Sequence, residues 1–482
     1  MNYKMVFNTL GKVLIIEALL LIFPMFVGVV YKENTFTSFL IPIIGLILIG
    51  APLSLLKIKN KAIYAKEGFV IVAISWILLS LVGAVPFVIS GQIPNYIDAL
   101  FETISGFTTT GATILKDVEV LSKSVMFWRL FTHWIGGMGV LVFVLAILPA
   151  GCSGAMHVFR AESPGPTVGK LVSKLSYTAR ILYAIYFVLT VVEVVMLLFG
   201  GMSFYDALVH SFSTAGTGGF GAYNDSIAHF DSVYIEMVIA VFMLLFGVNF
   251  NVYYLILIGQ VKNALKSEEL KVYAIMLLVA TLSIAINILE QVESFGQALR
   301  YSFFQVASIS STTGFVSTDF DKWPAFSKSI LLILTMIGAN AGSTGGGVKV
   351  SRIVILFKSC FKELKRLINP RAVLTISFEK QPVDKEVERN IRTFFILWII
   401  ITIICTLLLS FDTNVNDVMS NLSATMACLG NVGPGFALVG PTCNYSIYAP
   451  FSKMLLSFAM LVGRLEIFPI LILFAPSTWK RG

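Results

Sequence analysis

Four short strips rich in threonine and glycine recur along the 482 residues: TTTGA at 108–112, GTGGF at 216–220, STTGF at 311–315 and NVGPG at 431–435. Aligned on one glycine each, they give Gly111, Gly218, Gly314 and Gly433, spaced by 107, 96 and 119 residues. Thr110, Thr217, Thr313 and Val432, all β-branched, precede those glycines. Glycine lets the backbone leave ordinary φ/ψ so that successive carbonyls face one side. β-Branched neighbours keep the adjacent backbone extended. Four such strips around one axis form a ring of carbonyl oxygens able to replace a cation's hydration shell. Divalent-cation sites usually include carboxylates, and the strips contain no Asp or Glu, so the chemistry is that of a monovalent cation. The candidate ligands are Thr109, Thr110 and Gly111; Gly216, Thr217 and Gly218; Thr312, Thr313 and Gly314; and Asn431, Val432 and Gly433.

The elements that must position the strips repeat with them. Each strip follows a moderately apolar segment too short to cross a bilayer, at 96–107, 204–213, 297–309 and 416–427, and each is followed by a full apolar span. Fourfold recurrence of span, short helix, strip and span fixes the architecture. Asp98, Asp206 and Asp417 stand near the starts of three short helices, where a carboxylate caps free N–H groups. A half-helix ending at a strip turns its partly negative C-terminus toward a cation. Extended backbone at membrane depth is tolerated where it lines a watery cavity. Four external Gly/Thr turns are the bland alternative, which leaves the recurring half-helices unexplained.

Composition agrees with a membrane protein. Hydrophobic residues make up 57% and charged residues 13%, against about 25% charged in soluble domains. Ten runs approach the roughly 20 residues that span a bilayer: 10–31, 37–56, 68–90, 125–149, 178–200, 232–259, 270–290, 326–357, 391–411 and 452–475. The loops at 57–67, 151–180, 259–271 and 358–392 hold 20 Lys and Arg, and the opposite loops hold 6. The positive-inside rule places the first set, and both termini, in the cytoplasm. The net charge of +8 thus marks topology and not nucleic-acid binding. The expected fold is an all-α integral membrane protein of about ten transmembrane helices. Residues 1–67 form two N-terminal spans, and 68–150, 151–260, 261–358 and 359–482 form four pseudo-repeats around one pore. The five cysteines form no CxxC pair, and the four histidines are dispersed without HExxH. This excludes a disulfide framework, a zinc site and an evident enzyme centre. Trp128 and Trp134 are placed near a membrane interface.

The long span 326–357 contains IGANAGSTGGGVKV at 337–350. Five glycines within ten residues weaken a helix by roughly 0.5–1 kcal/mol each, which predicts a broken inner helix; close packing through small residues is the alternative. Gly342, Ser343, Thr344, Gly345, Gly346 and Gly347 form its centre. Arg464 lies in the last span, where a charge faces a cavity or a partner. Glu466, two residues on, falls on a different helix face. Lys349 and Arg352 follow the glycine-rich loop and either pair with acids, contact a partner or anchor the helix end.

These residues resemble the Trk/Ktr/HKT superfamily of potassium transporters, and within it the bacterial Trk membrane subunits (TrkH/TrkG). The resemblance rests on FETISGFTTTGAT (101–113), FWRLFTHWIGGMGVLVF (127–143), HSFSTAGTGGF (210–220), GANAGSTGGGVKVSR (338–352) and GRLEIFP (463–469), and covers essentially the whole chain. Two extra N-terminal spans favour the Trk branch over the eight-span branch. The resemblance implies potassium (K+) as bound and transported ion, one selectivity glycine per repeat, and an intramembrane loop that obstructs the pore and moves to open it. It also implies that Arg464 is an electrostatic barrier, that the chain is a homodimer in the bacterial inner membrane, and that cytosolic nucleotide-binding (RCK-type) subunits regulate it. Val432 makes the fourth strip chemically unequal. No GxGxxG or Walker motif occurs, so nucleotide control falls to a partner, and the basic 358–392 loop is one candidate docking surface. The alternative function is potassium symport coupled to protons or sodium, which calls for a buried titratable relay; no chain of acids follows the strips.

Overall fold

A computed structural model of the chain describes residues 1–57, 65–139, 175–372 and 374–479. The second half of the expected span 125–149, most of the basic loops 57–67 and 151–180, and Lys480 and Arg481 lie outside the described residues.

Among the described residues the fold is helical, apart from a two-residue antiparallel pair, Ser377–Phe378 with Gln381–Pro382. Two N-terminal spans come first. Tyr3–Leu20 continues as Ile22–Val30 and packs on Phe36–Ser54. Their contact is close because Gly11 and Gly50 meet, with backbone where a side chain would stand.

Four outer helices follow: Ala65–Gly83, Leu175–Phe199, Glu268–Asn287 and Lys385–Leu409. Each leads to a half-helix: Tyr96–Phe107, Phe204–Gly216, Phe295–Ser310 and Val418–Leu429. Their N-caps are Asn95, Ser203, Ser294 and Asp417, each accepting from a backbone N–H of the first turn. Of the three aspartates expected to cap, only Asp417 does so. Asp206 sits three residues into its helix and accepts from the Ser203 hydroxyl at 2.7 Å. Asp98 instead pairs with Lys453 at 2.6 Å and ties the first half-helix to the last inner helix.

The inner helices are the less regular layer. The first is Lys123–Gly137. The third breaks at Gly338 after Ala325–Ile337 and resumes as Val350–Ile368, as expected. The second and fourth, expected as single spans, are broken too. Val233–Phe246 and Phe250–Leu257 meet at 90°, and Pro450–Arg464 and Phe468–Phe474 at 119°. Glu466 and Ile467 make the last bend at φ of +57° and +67°. A β-branched residue there is a costly choice. The Ile467 N–H returns to Val462 O at 2.9 Å and closes the bend. Among the described residues, six other helices are long and apolar enough to cross a membrane.

Trp128, expected near an interface, is fully buried and donates from Nε1 to Gly83 O at 2.9 Å. Its indole has found its polar partner inside the protein, so it has no need of the headgroup region.

Candidate functional site

Each half-helix ends in the same backbone sequence of turns. Residues Thr109, Thr217, Thr312 and Asn431 take positive φ, between +53° and +61°. The next residues, Thr110, Gly218, Thr313 and Val432, donate their N–H groups to Ser105, Ser213, Ser308 and Ala427 at 2.8–2.9 Å. The residues after those, Gly111, Gly219, Gly314 and Gly433, take φ of +80° to +97°. This register corrects the second strip. The glycine equivalent to Gly111, Gly314 and Gly433 is Gly219, not Gly218, and its strip is Thr217-Gly218-Gly219 in place of Gly216-Thr217-Gly218. Gly216 is instead the last residue of its half-helix. The shared Gly-Phe dipeptides, 219–220 and 314–315, carry this register in the sequence.

The four glycines close a ring. A Cβ on Gly111 would fall on Gly218 O, one on Gly219 on Thr313 O, one on Gly314 on Val432 O, and one on Gly433 on Thr110 O. Each strip thus presses its glycine against the carbonyl of the next, in chain order, and the fourth returns to the first. Only glycine fits, by space and by φ. On the side away from the half-helices lies a cavity of about 140 Å³, lined by all four glycines together with Thr113, Arg129 and Tyr445.

Residues that the motifs did not single out brace this ring. Glu102 and Arg129 form a fully buried ion pair at 2.6 Å. Glu102 also accepts from the Thr113 hydroxyl at 2.8 Å and from Ile114 N at 3.0 Å, just past Gly111. Arg129 donates to Gly221 O at 3.0 Å and lies over the Phe220 ring, just past Gly219. One buried pair therefore fixes the exits of two strips. Tyr445 donates to Gly433 O at 2.8 Å, and its N–H donates to Thr113 O at 2.8 Å, joining strips 4 and 1. The Asn431 amide donates to Thr110 Oγ1 and to Met460 O, both at 3.0 Å. Outside the membrane segments, the Asn224 amide and then the Glu119 N–H hold the exposed Asp117 carboxyl below its ordinary range.

The glycine-rich loop 338–349 lies against the opposite, half-helix side of the ring. Gly346 N donates to Thr312 Oγ1 at 2.6 Å, and Gly345 and Gly346 abut Ser311 O and Gly430 O. Gly342 O accepts from Phe250 N at 3.0 Å, and Asn340 N reaches Gly247 O at 3.1 Å, both at the bend of the second inner helix. Ser343 donates its hydroxyl to Asn340 O at 2.6 Å. Gly347 takes φ of +75° and packs on Gly338, pinching the loop closed at its neck. Lys349, fully buried, donates back to Gly345 O. Arg464 donates to Thr344 O at 2.8 Å and to Gly136 O and Gly137 O at the end of the first inner helix. Carbonyls at a helix C-terminus favour such a cation. Arg464 does not pair with Glu466; Arg352 does, at 2.6 Å. Glu269, unnoticed in the sequence because it is one of several acids at helix starts, accepts from Ala341 N at 2.7 Å and Ser351 N at 3.1 Å.

A family model described as TrkH, cation transport protein, matches residues 35–481. The chain is 35% identical over 487 residues to the Trk system potassium uptake proteins TrkH of Salmonella typhimurium and Escherichia coli, with all of each chain covered. It is 31% identical over 488 residues to the Trk system potassium uptake protein TrkG of Escherichia coli, covering 99% of both. The crystal structure of the potassium transporter TrkH from Vibrio parahaemolyticus superposes with a TM-score of 0.89 at 32% identity, covering both chains fully.

Proposed function

The chain belongs to the TrkH family of cation transport proteins, and on that premise we propose that it takes up potassium through a gated pore whose selectivity filter is the ring of four strips. The closure of that ring, glycine against the next strip's carbonyl at all four steps, is the observation that carries the reading. Backbone oxygens at Thr109–Gly111, Thr217–Gly219, Thr312–Gly314 and Asn431–Gly433 coordinate the dehydrated ion, and the half-helix C-termini add negative potential. The loop from Gly342 to Gly347 is the gate, lying directly under strips 3 and 4. Arg464 places a positive charge beside it and repels cations until the loop moves. The residues act by binding and gating; the protein is a transporter, not an enzyme.

The chain sits in the bacterial inner membrane with both termini in the cytoplasm, and 68–150, 151–260, 261–358 and 359–482 are its four pore repeats. Phe357, Phe361, Leu364 and Ile368 form an exposed apolar stripe on the helix leaving the gate loop, which supports a homodimer. The basic 358–392 segment receives cytosolic nucleotide-binding subunits of RCK type.

Proton-coupled or sodium-coupled symport is the second reading. Glu17 favours it, being fully buried with neither carboxyl oxygen hydrogen-bonded among the described residues. Potassium and sodium flux into proteoliposomes, with and without a proton gradient, separates the readings. Potassium-selective flux indifferent to the gradient supports the pore; flux driven by a proton or sodium gradient supports symport; flux that does not discriminate between the two ions overturns the filter.

A further inference from the structure

In strips 1 and 3 the residue before the ring glycine is a threonine held by its own strip. Thr110 Oγ1 bonds Thr108 Oγ1 at 2.8 Å, and Thr313 Oγ1 bonds Ser311 Oγ at 2.7 Å. Strip 4 has Val432 there and takes its brace from the Asn431 amide. Strip 2 has neither device. Both positions of the hydroxyl pair are glycines, Gly216 and Gly218, and Gly219 follows. Three glycines in four residues leave the backbone its widest choice of φ and ψ.

Something else occupies the vacant place. A Cβ on Gly218 would land within the imidazole of His133, nearest Nδ1, Cγ and Cε1. His133 belongs to the first inner helix and is fully buried. Its Nδ1 lies 3.0 Å from Ser213 Oγ, and Ser213 O receives the Gly218 N–H at 2.9 Å. Its ring stacks on Phe220 with centroids 4.3 Å apart at 16°. The imidazole therefore touches the residue that anchors Gly218, fills the side-chain place of Gly218 itself, and packs on the residue after Gly219. Arg129, one turn earlier on the same helix, covers Phe220 as well.

We propose that His133 is a positioning residue for ion selectivity: repeat 1 supplies through space the side chain that strip 2 lacks, and the imidazole holds the Gly218 and Gly219 carbonyls in the ring. The inference rests on the strips being a selectivity filter. It explains why the second strip reads Thr-Gly-Gly where the first and third read Thr-Thr-Gly. A threonine at 218 and an imidazole at 133 exclude one another sterically.

The test is cation binding to the purified full-length chain, read as thermal stabilisation by potassium against sodium, with no need for an open gate. His133→Ala should lower the potassium-to-sodium preference about tenfold, equivalent to about 1.4 kcal/mol. Gly218→Thr alone should do at least as much. The double substitution His133→Ala with Gly218→Thr should recover most of the wild-type preference, because the threonine regains the room the other strips give it. A merely structural histidine predicts no such rescue of selectivity. An unchanged preference in His133→Ala overturns the proposal. So does a double variant no better than His133→Ala, whether the single variant is folded or not. A wild-type chain that does not prefer potassium, with Gly219→Ala equally indifferent, sinks the filter reading itself and this inference with it.

Discussion

Glu269 accepts a hydrogen bond from Ala341 N at 2.7 Å, so an acid at the start of one membrane helix holds the loop that interrupts another. The same oxygen takes Ser351 N, just beyond the far end of that loop. Glu269→Ala leaves two buried N–H groups unpaired, each costing about 1–3 kcal/mol. The loop should loosen, and potassium flux through the isolated chain should rise severalfold in proteoliposomes. Unaltered flux in a folded variant would count against this loop as the obstruction.

Arg464→Ala removes donors from Thr344, Gly136 and Gly137. Single-channel conductance and open probability should both increase. Arg464→Lys should be intermediate, because an ammonium cannot reproduce the guanidinium's planar fork. If the alanine variant matches the wild type in both quantities, Arg464 is not a barrier.

Removing one partner of the buried Glu102–Arg129 pair should destabilise the fold by about 3–5 kcal/mol. Glu102→Gln is therefore expected to lower the unfolding temperature in detergent clearly. Glu102→Leu with Arg129→Met should lose less than the sum of the two single changes. An additive loss would mean the two side chains act independently.

Gly219 and Gly221 are two residues apart and should behave oppositely. Gly219 has φ of +81° and abuts Thr313 O, whereas a Cβ on Gly221 meets nothing closer than 3.5 Å. Gly219→Ala should abolish the potassium preference in a binding assay, and Gly221→Ala should leave it near wild type. The reverse result would return the ring position to a different glycine.

Asp117 supplies a pH dependence. Its carboxyl is held low by Asn224 and then by the Glu119 N–H. A lowered folded-state pKa stabilises above the ordinary aspartate range and ceases to do so as pH falls through the lowered value. Asn224 also accepts from Val118 N at 2.9 Å, so that amide reports on the contact. Its hydrogen exchange, corrected for intrinsic rate, should quicken on acidification in the wild type, and an Asp117→Ala variant should lack that step.

The half-helices and strips were legible because their signals are local: an apolar run of limited length, a cap and a glycine. The first half-helix begins and ends where the sequence placed it, at 96 and 107. The register of strip 2 was not legible from the glycine spacing, since Gly218 and Gly219 are adjacent; the Gly-Phe pairs at 219–220 and 314–315 carry it, and the φ of +81° and the contact with Thr313 O fix it at Gly219. The bends at 247–249 and 465–467 lie inside apolar runs that read as continuous spans, and they depend on contacts with the third repeat's loop or on positive φ. Glu269 and His133 reach partners 72 and 80 residues away, and the Tyr445 N–H reaches Thr113 O just past strip 1, where no periodicity points.

The four walls of the ring belong to one polypeptide, so each answers to its own codon. In a symmetric tetramer any substitution is copied to every wall at once. Here a change at Gly111 alters one quadrant and leans on its neighbour Gly218, while the strip opposite keeps its sequence. A substitution can therefore alter the cage a quarter at a time, and the present walls do differ: Thr-Thr-Gly twice, Thr-Gly-Gly and Asn-Val-Gly.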